Sequence, residues 1–195
     1  MAGVRRSLKV IREARACTAC SNHLPLGARP LLSGSGVSRL LIIGQAPGVR
    51  AHESGVPWDD ASGERLRAWL GVSAEEFYDE SKIALMPMGF CYPGKGKSGD
   101  LPPRAECAPL WHERLLKAFK KIQLTVIVGR YACEQYLQGQ YATLGEAVGD
   151  WERLLPGQIV LPHPSGRNNI WLKKNDWFEK EVLASLQDRV KRTLG

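Results

Sequence analysis

Four short apolar runs, each closed by glycine or proline and separated by stretches of helical spacing, constrain this chain more than any other feature. They are Arg39-Leu40-Leu41-Ile42-Ile43-Gly44, Ile83-Ala84-Leu85-Met86-Pro87, Leu124-Thr125-Val126-Ile127-Val128-Gly129 and Gln158-Ile159-Val160-Leu161-Pro162. Runs this short and this continuously apolar read as strands buried on both faces, the condition of strands in a parallel sheet. Between and after them, 63–72, 106–120, 131–137 and 178–194 carry helical spacing. In the second of these Leu110, Trp111, Leu115, Leu116 and Phe119 are the residues expected to pack on the sheet. Residues 1–16 read as a short basic helix, 21–38 and 89–103 as irregular loops. The alternation predicts an α/β protein, three layers α/β/α with a four-stranded, mainly parallel central sheet. In such sheets ligands bind beyond the carboxyl ends of the strands.

A length of 195 residues fits a single domain over 1–195. No run approaches the ~20 apolar residues that cross a bilayer. The basic start Met1-Ala2-Gly3-Val4-Arg5-Arg6 has no apolar core behind it, so a signal peptide is not expected, and a cytoplasmic location without membrane association is. The net charge of +7 favours polyanions, because neutralised phosphates release condensed counterions. Charge alone does not separate a nucleic-acid binder from any other basic protein. Five cysteines, an odd number with no export signal, argue against a disulfide framework.

Two strand ends carry distinctive residues. The first strand runs into Gly44-Gln45-Ala46-Pro47-Gly48, a turn that lets backbone approach a ligand closely. The fourth runs into Pro162-His163-Pro164-Ser165-Gly166-Arg167-Asn168-Asn169, where two prolines restrict the backbone around one histidine. Either alone is as readily a strand-ending turn or an incidental loop histidine. Together they would face one crevice.

The pair resembles the signature motifs of the uracil-DNA glycosylase superfamily, a G-x-x-P turn after the first strand and an H-P-S loop after the last. The segment Ser54-Gly55-Val56-Pro57-Trp58-Asp59-Asp60-Ala61-Ser62-Gly63 is similar to the family's T-G-x-P-F-x-G-x-A-G, so the resemblance runs from about Cys17 to Asn169. The spacing of Cys17, Cys20, Cys91 and Cys107, C-x2-C-x70-C-x15-C, is similar to that of the family 4 branch, whose four cysteines hold a 4Fe–4S cluster. A structural zinc ion would suit four thiols equally, and four unrelated buried cysteines is a third reading. Cys133 reads as core.

The resemblance implies a DNA glycosylase of base excision repair. It would flip a base out of single- or double-stranded DNA and hydrolyse the N-glycosidic bond as a monomer. His163 would stabilise the leaving base, Trp58 would stack on it, and Gln45, Ala46, Pro47 and Gly48 would line its pocket. Trp58 is also readable as core packing. Ser165 would meet a phosphate, with Arg167, Asn168 and Asn169 on the DNA side, Arg167 as phosphate contact or wedge. Lys173 and Lys174 extend the basic edge.

The sequence departs from the family in two places. Family 4 has Glu where Gln45 stands, and family 1 has Asp where Ala46 stands, so the water-activating carboxylate must come from elsewhere. Asp60, beside Asp59, is the candidate, in a segment similar to family 5's G-D-x-S-G; family 5 also has an apolar first motif. His52 and Glu53 are lesser candidates, expected on a mobile loop. Pro87 occupies the position of an Asn that reads the uracil edge, which points to excision of other deaminated bases such as hypoxanthine or xanthine. Two alternatives remain: a weakly active or inactive binder of damaged or single-stranded DNA, and an iron–sulfur redox protein.

Overall fold

The computed structural model describes the backbone of residues 2–195, with side chains from Lys9 onward, so Met1 and the charges of Arg5 and Arg6 lie outside the described groups. In chain order the elements are α1 (Ala2–Arg15), β1 (Leu40–Ile43), α2 (Val49–Ser54), α3 (Ala61–Leu70), α4 (Ala74–Tyr78) and β2 (Ile83–Leu85). A two-stranded hairpin, β3 (Lys95–Gly96) and β4 (Gly99–Asp100), leads to α5 (Cys107–Ala118), β5 (Leu124–Val128) and α6 (Arg130–Tyr136). Then come α7 (Leu144–Gly149), α8 (Trp151–Leu154), β6 (Gln158–Leu161), α9 (Asn169–Lys174) and α10 (Leu183–Leu194), the last entered through a π-helical turn, Phe178–Val182.

The four expected strands form one parallel sheet in the order β2-β1-β5-β6, and helices flank it to give the three-layer α/β/α fold. Register follows from burial. Leu40 pairs with Ile83 on one side and Leu124 on the other, and all three are fully buried. The order reverses between β1 and β5: the chain steps from β1 to β2 on one side, then crosses to β5 and β6 on the other. Such a reversal opens a crevice at the strand ends.

The helices are placed by their apolar stripes and caps. Asp60 caps α3, its Oδ1 accepting the Gly63 N–H at 2.8 Å. Phe178, Val182, Leu186, Val190 and Leu194, at four-residue spacing, form the buried stripe of the closing helix, which packs against α3. On α5, Trp111 and Leu115 are buried, and so is Phe119 just past its end. Leu110 and Leu116 are 47% and 38% exposed, a correction to the sequence expectation. Their spacing is helical, but they sit on flanks that the sheet does not reach. The segment holding His52 and Glu53 is likewise a helix, α2, rather than a mobile loop. Gly55 closes it in the left-handed conformation (φ 76°), and His52 is buried while Glu53 is exposed. The 89–103 loop contains the β3–β4 hairpin.

Candidate active site

At the carboxyl ends of β1, β2 and β6 lies a pocket of about 480 Å³, open to solvent. The turn after β1 supplies Gln45, Ala46, Pro47 and Gly48; the residue after β2 supplies Pro87; the loop after β6 supplies His163, Ser165, Arg167 and Asn168. Trp58 and Asp60 enter from the segment leading into α3. These are the residues that the two strand-end motifs and the resemblance singled out, brought to one wall. Asn169 is not on it. Its side-chain oxygen accepts from Arg65 at 2.8 Å, and Arg65 also donates to the Ser165 carbonyl at 3.4 Å, so the pair braces the loop from outside.

Trp58 defines the pocket's shape. Its ring stacks beside that of His163, with centroids 5.8 Å apart and planes 27° from parallel. Its backbone is left-handed at φ 60°, a conformation a bulky side chain adopts only where its surroundings impose it. The surroundings here are two glycines. A Cβ on Gly63 would stand 1.8 Å from the Trp58 carbonyl oxygen, and one on Gly44 would stand 2.6 Å from the indole ring. Arg67 donates to that same carbonyl at 3.3 Å. Glycine in the first motif and at the start of α3 is thus the condition for an indole in the pocket.

His163 is held from behind. The Asn168 side chain donates to its carbonyl at 2.7 Å. Burial lowers the pKa of the imidazole below its ordinary value, with Asp60 opposing this and Arg167 adding to it. A neutral ring can donate one N–H to a developing anion without first losing a proton.

The two oxygens of Asp60 are placed differently. One oxygen caps α3, and the other, Oδ2, stands 3.7 Å from where a Gly48 side chain would begin. Asp59 is exposed and does not line the pocket. The sequence reading missed Lys95, Gly99 and Asp100, which line the mouth from the β3–β4 hairpin. Nothing in the run KGKSGD has a period or motif to announce this, because its position depends on how the hairpin folds back over the first motif.

The four spaced cysteines are gathered elsewhere. Cys17, Cys20, Cys91 and Cys107 line one apolar recess, together with Leu24, Phe90, Leu110, Trp111 and Arg104. This gives the exposed Leu110 a place. All four thiols are free and half-buried, while Cys133 is buried on α6. Burial pushes the Cys107 thiol up to about 12; the Phe90 N–H, donating to its sulfur at 3.4 Å, opposes this, and the other three thiols add to it. Burial likewise raises Cys91. Among the described residues no three His, Cys, Asp or Glu side chains converge closely enough for a single ion. The thiols share a wall rather than a point.

His112 bridges the two sites. Its Nε2 lies 3.1 Å from the carbonyl of Pro87, on the pocket floor, and its Nδ1 lies 2.6 Å from the Tyr136 hydroxyl. The ring stacks on Phe90, whose N–H reaches Cys107.

Among the described residues no helix is long and apolar enough to cross a membrane. A family model for the uracil DNA glycosylase superfamily matches residues 33–187, from the loop before β1 to the middle of α10. That span contains both strand-end motifs, the Trp58–Asp60 segment and the whole pocket. The chain belongs to the uracil DNA glycosylase superfamily.

Proposed function

We propose that this protein is a DNA glycosylase of base excision repair, hydrolysing the N-glycosidic bond of uracil or another deaminated base. The observation that carries the reading is the Trp58–His163 pair, an aromatic face and a neutral imidazole in one pocket at the end of the sheet. Such a pocket takes a base out of its stack. Stacking on Trp58 offsets the lost base stacking. The His163 N–H stabilises negative charge on the departing base. Asp60 Oδ2 orients the attacking water and accepts its proton, in the absence of a carboxylate at Gln45 or Ala46.

Ser165, Arg167 and Asn168 lie on the rim, where phosphates flanking the flipped nucleotide would run. The Arg167 guanidinium lies against Gly99 of the hairpin. Ile170, 70% exposed on α9, is therefore the side chain suited to filling the vacated space in a duplex. Pro87 offers the pocket no amide, so a pyrimidine edge is not read there and purine products of deamination are admitted. The protein would work as a monomer in the cytoplasm, with residues 1–195 as one domain.

The cysteine recess fits a 4Fe–4S cluster. Four thiols lining one apolar recess are the ligand set that such a cluster needs, with a structural zinc ion as the alternative. When bound, the cluster would supply cross-linking rather than a redox step in base removal. The residues 17–20 segment, the turn after β2 and the start of α5 would be tied together.

The test is base release from oligonucleotides bearing single uracil, hypoxanthine or xanthine lesions, followed by alkaline cleavage, with His163→Ala as control. Release from any of them, lost in the control, supports the reading. A wild type that binds these oligonucleotides but releases nothing would support the second reading, a binder of damaged or single-stranded DNA, which the loss of the motif carboxylate favours. The visible spectrum, with iron and sulfide analysis of protein purified without oxygen, decides between cluster and zinc.

A further inference from the structure

The pocket holds two carboxylates, and the second comes from a hairpin that no motif marks. The Asp60 Oδ2 and the Asp100 Oδ2 stand 3.7 and 3.6 Å from the same point, the position a side chain on Gly48 would take. The two oxygens are therefore no farther apart than those two distances laid end to end. Asp100 is an exposed residue of β4, but this oxygen turns inward over the first motif. The hairpin is fixed there by Gly99, at φ 128°, where any Cβ would lie 1.9 Å from the Arg167 guanidinium. Arg167, from the loop that carries His163, thus packs against β4.

Resting on the glycosylase reading above, we propose that Asp100 is a second catalytic carboxylate paired with Asp60, delivering a proton to the departing base, and that the base it serves is a deaminated purine. Paired carboxylates divide acid and base work in this way when an O-glycosidic bond is hydrolysed. The step balances as follows. Water oxygen forms its bond to C1′ as the C1′–N9 bond breaks and its electron pair passes into the purine ring. The Asp100 carboxyl proton goes to a purine ring nitrogen, and a proton of the attacking water goes to Asp60. Proton exchange with solvent returns both groups to their starting forms.

The surroundings of Asp100 favour a carboxyl that keeps its proton to higher pH than an ordinary one, as a general acid must. Loss of surrounding water raises its carboxyl above the ordinary value and Asp60 adds to this, while Arg167 and Lys95 oppose it. The Tyr92 hydroxyl also feels its charge. A purine that leaves protonated needs such a donor, whereas uracil can leave as an anion under His163.

The experiment measures single-turnover base release from hypoxanthine and uracil oligonucleotides across pH 5–9 for wild type, Asp100→Asn and Asp100→Glu. The affinity of each for an oligonucleotide with a tetrahydrofuran abasic site is measured alongside. Asp100→Asn is expected to slow hypoxanthine release roughly 100-fold or more and to remove the decline toward alkaline pH. Uracil release should fall by less than tenfold and abasic-site affinity by less than threefold. Asp100→Glu, which keeps the acid, should restore part of the hypoxanthine rate and the alkaline decline. Hypoxanthine release by Asp100→Asn within threefold of wild type, or an unchanged pH profile, overturns the proposal. So does a loss that appears only as weaker binding. A wild type that releases uracil but no hypoxanthine overturns this proposal and leaves the glycosylase reading standing; one that releases no base overturns both.

Discussion

The base pocket and the cysteine recess are built from opposite materials. The pocket is open and mixed in polarity, and its innermost residues lie within a few positions of a strand end, so the sheet places Gly44, Pro87 and His163 almost directly. The recess is apolar and narrow, and its four thiols come from the chain after α1, the turn after β2 and the start of α5. No strand aligns them. A site built on the sheet needs only local turns to be right, whereas a site built between loops needs something to hold the loops. In the pocket that support is hydrogen bonds and glycine contacts around Trp58 and His163. In the recess we propose that it is the cluster.

If this contrast is right, damage to the pocket should remove chemistry and spare stability, and damage to the recess should do the reverse. The largest effect expected is from His163→Ala, which should slow base release roughly 10²–10³-fold in single-turnover assays. The melting temperature should stay within a few degrees of wild type. A large loss of stability would show that His163 is structural instead. Next is Cys107→Ser, expected to abolish visible absorption and to lower the melting temperature by roughly 10 °C. Base release at low temperature should persist. An unchanged melting curve would mean that the recess is not a clamp.

His112 joins the two regions and should report on both. Burial lowers its pKa to about 4, with the Pro87 carbonyl opposing. The unfolded chain takes up the proton near pH 6.5. Between those values the unfolded state binds more protons, so the stability this residue contributes is complete above about pH 6.5 and is lost as pH falls toward 4, by roughly 2–3 kcal/mol. Urea midpoints at pH 7.0 and 4.5 for wild type and His112→Phe should differ by that amount; parallel acid losses would break the bridge. The smallest effect is expected from Asn168→Ala, which removes one hydrogen bond to the His163 carbonyl. About 1 kcal/mol of positioning is at stake, seen as a ~5-fold lower rate. A null effect would mean that the prolines alone hold the loop.

Much of the fold was legible because the strands are buried on both faces. An uninterrupted apolar run closed by glycine or proline leaves little other interpretation, and β1, β5 and β6 begin or end within a residue of the runs. The short helices were not legible. Val49–Ser54 carries His52 and Glu53 among small residues and has no long stripe, so its helix is set by packing and by the Gly55 cap. Leu110 and Leu116 had the right period and the wrong surroundings, since periodicity reports a face and not what covers it.

The candidate site divides along the same line. Residues next to strand ends were found because strand ends converge. Asn169 proved to be a brace for Arg65 because an exposed polar residue's partner is chosen by whatever side chain reaches it. Asp100 was invisible because a hairpin's landing place depends on contacts far away in sequence, here with Arg167 and Gly48.

By itself the sequence determined the parallel sheet, the meeting of Gly44 and His163 at one end of it, and the family. These follow from hydrophobic runs and local turns, which short-range chemistry controls. Only the tertiary structure decided that Trp58 stacks beside His163, that four distant thiols share a wall, and that two carboxylates stand over Gly48. Each of those is a meeting of segments tens of residues apart, fixed by packing rather than by any residue's own preference.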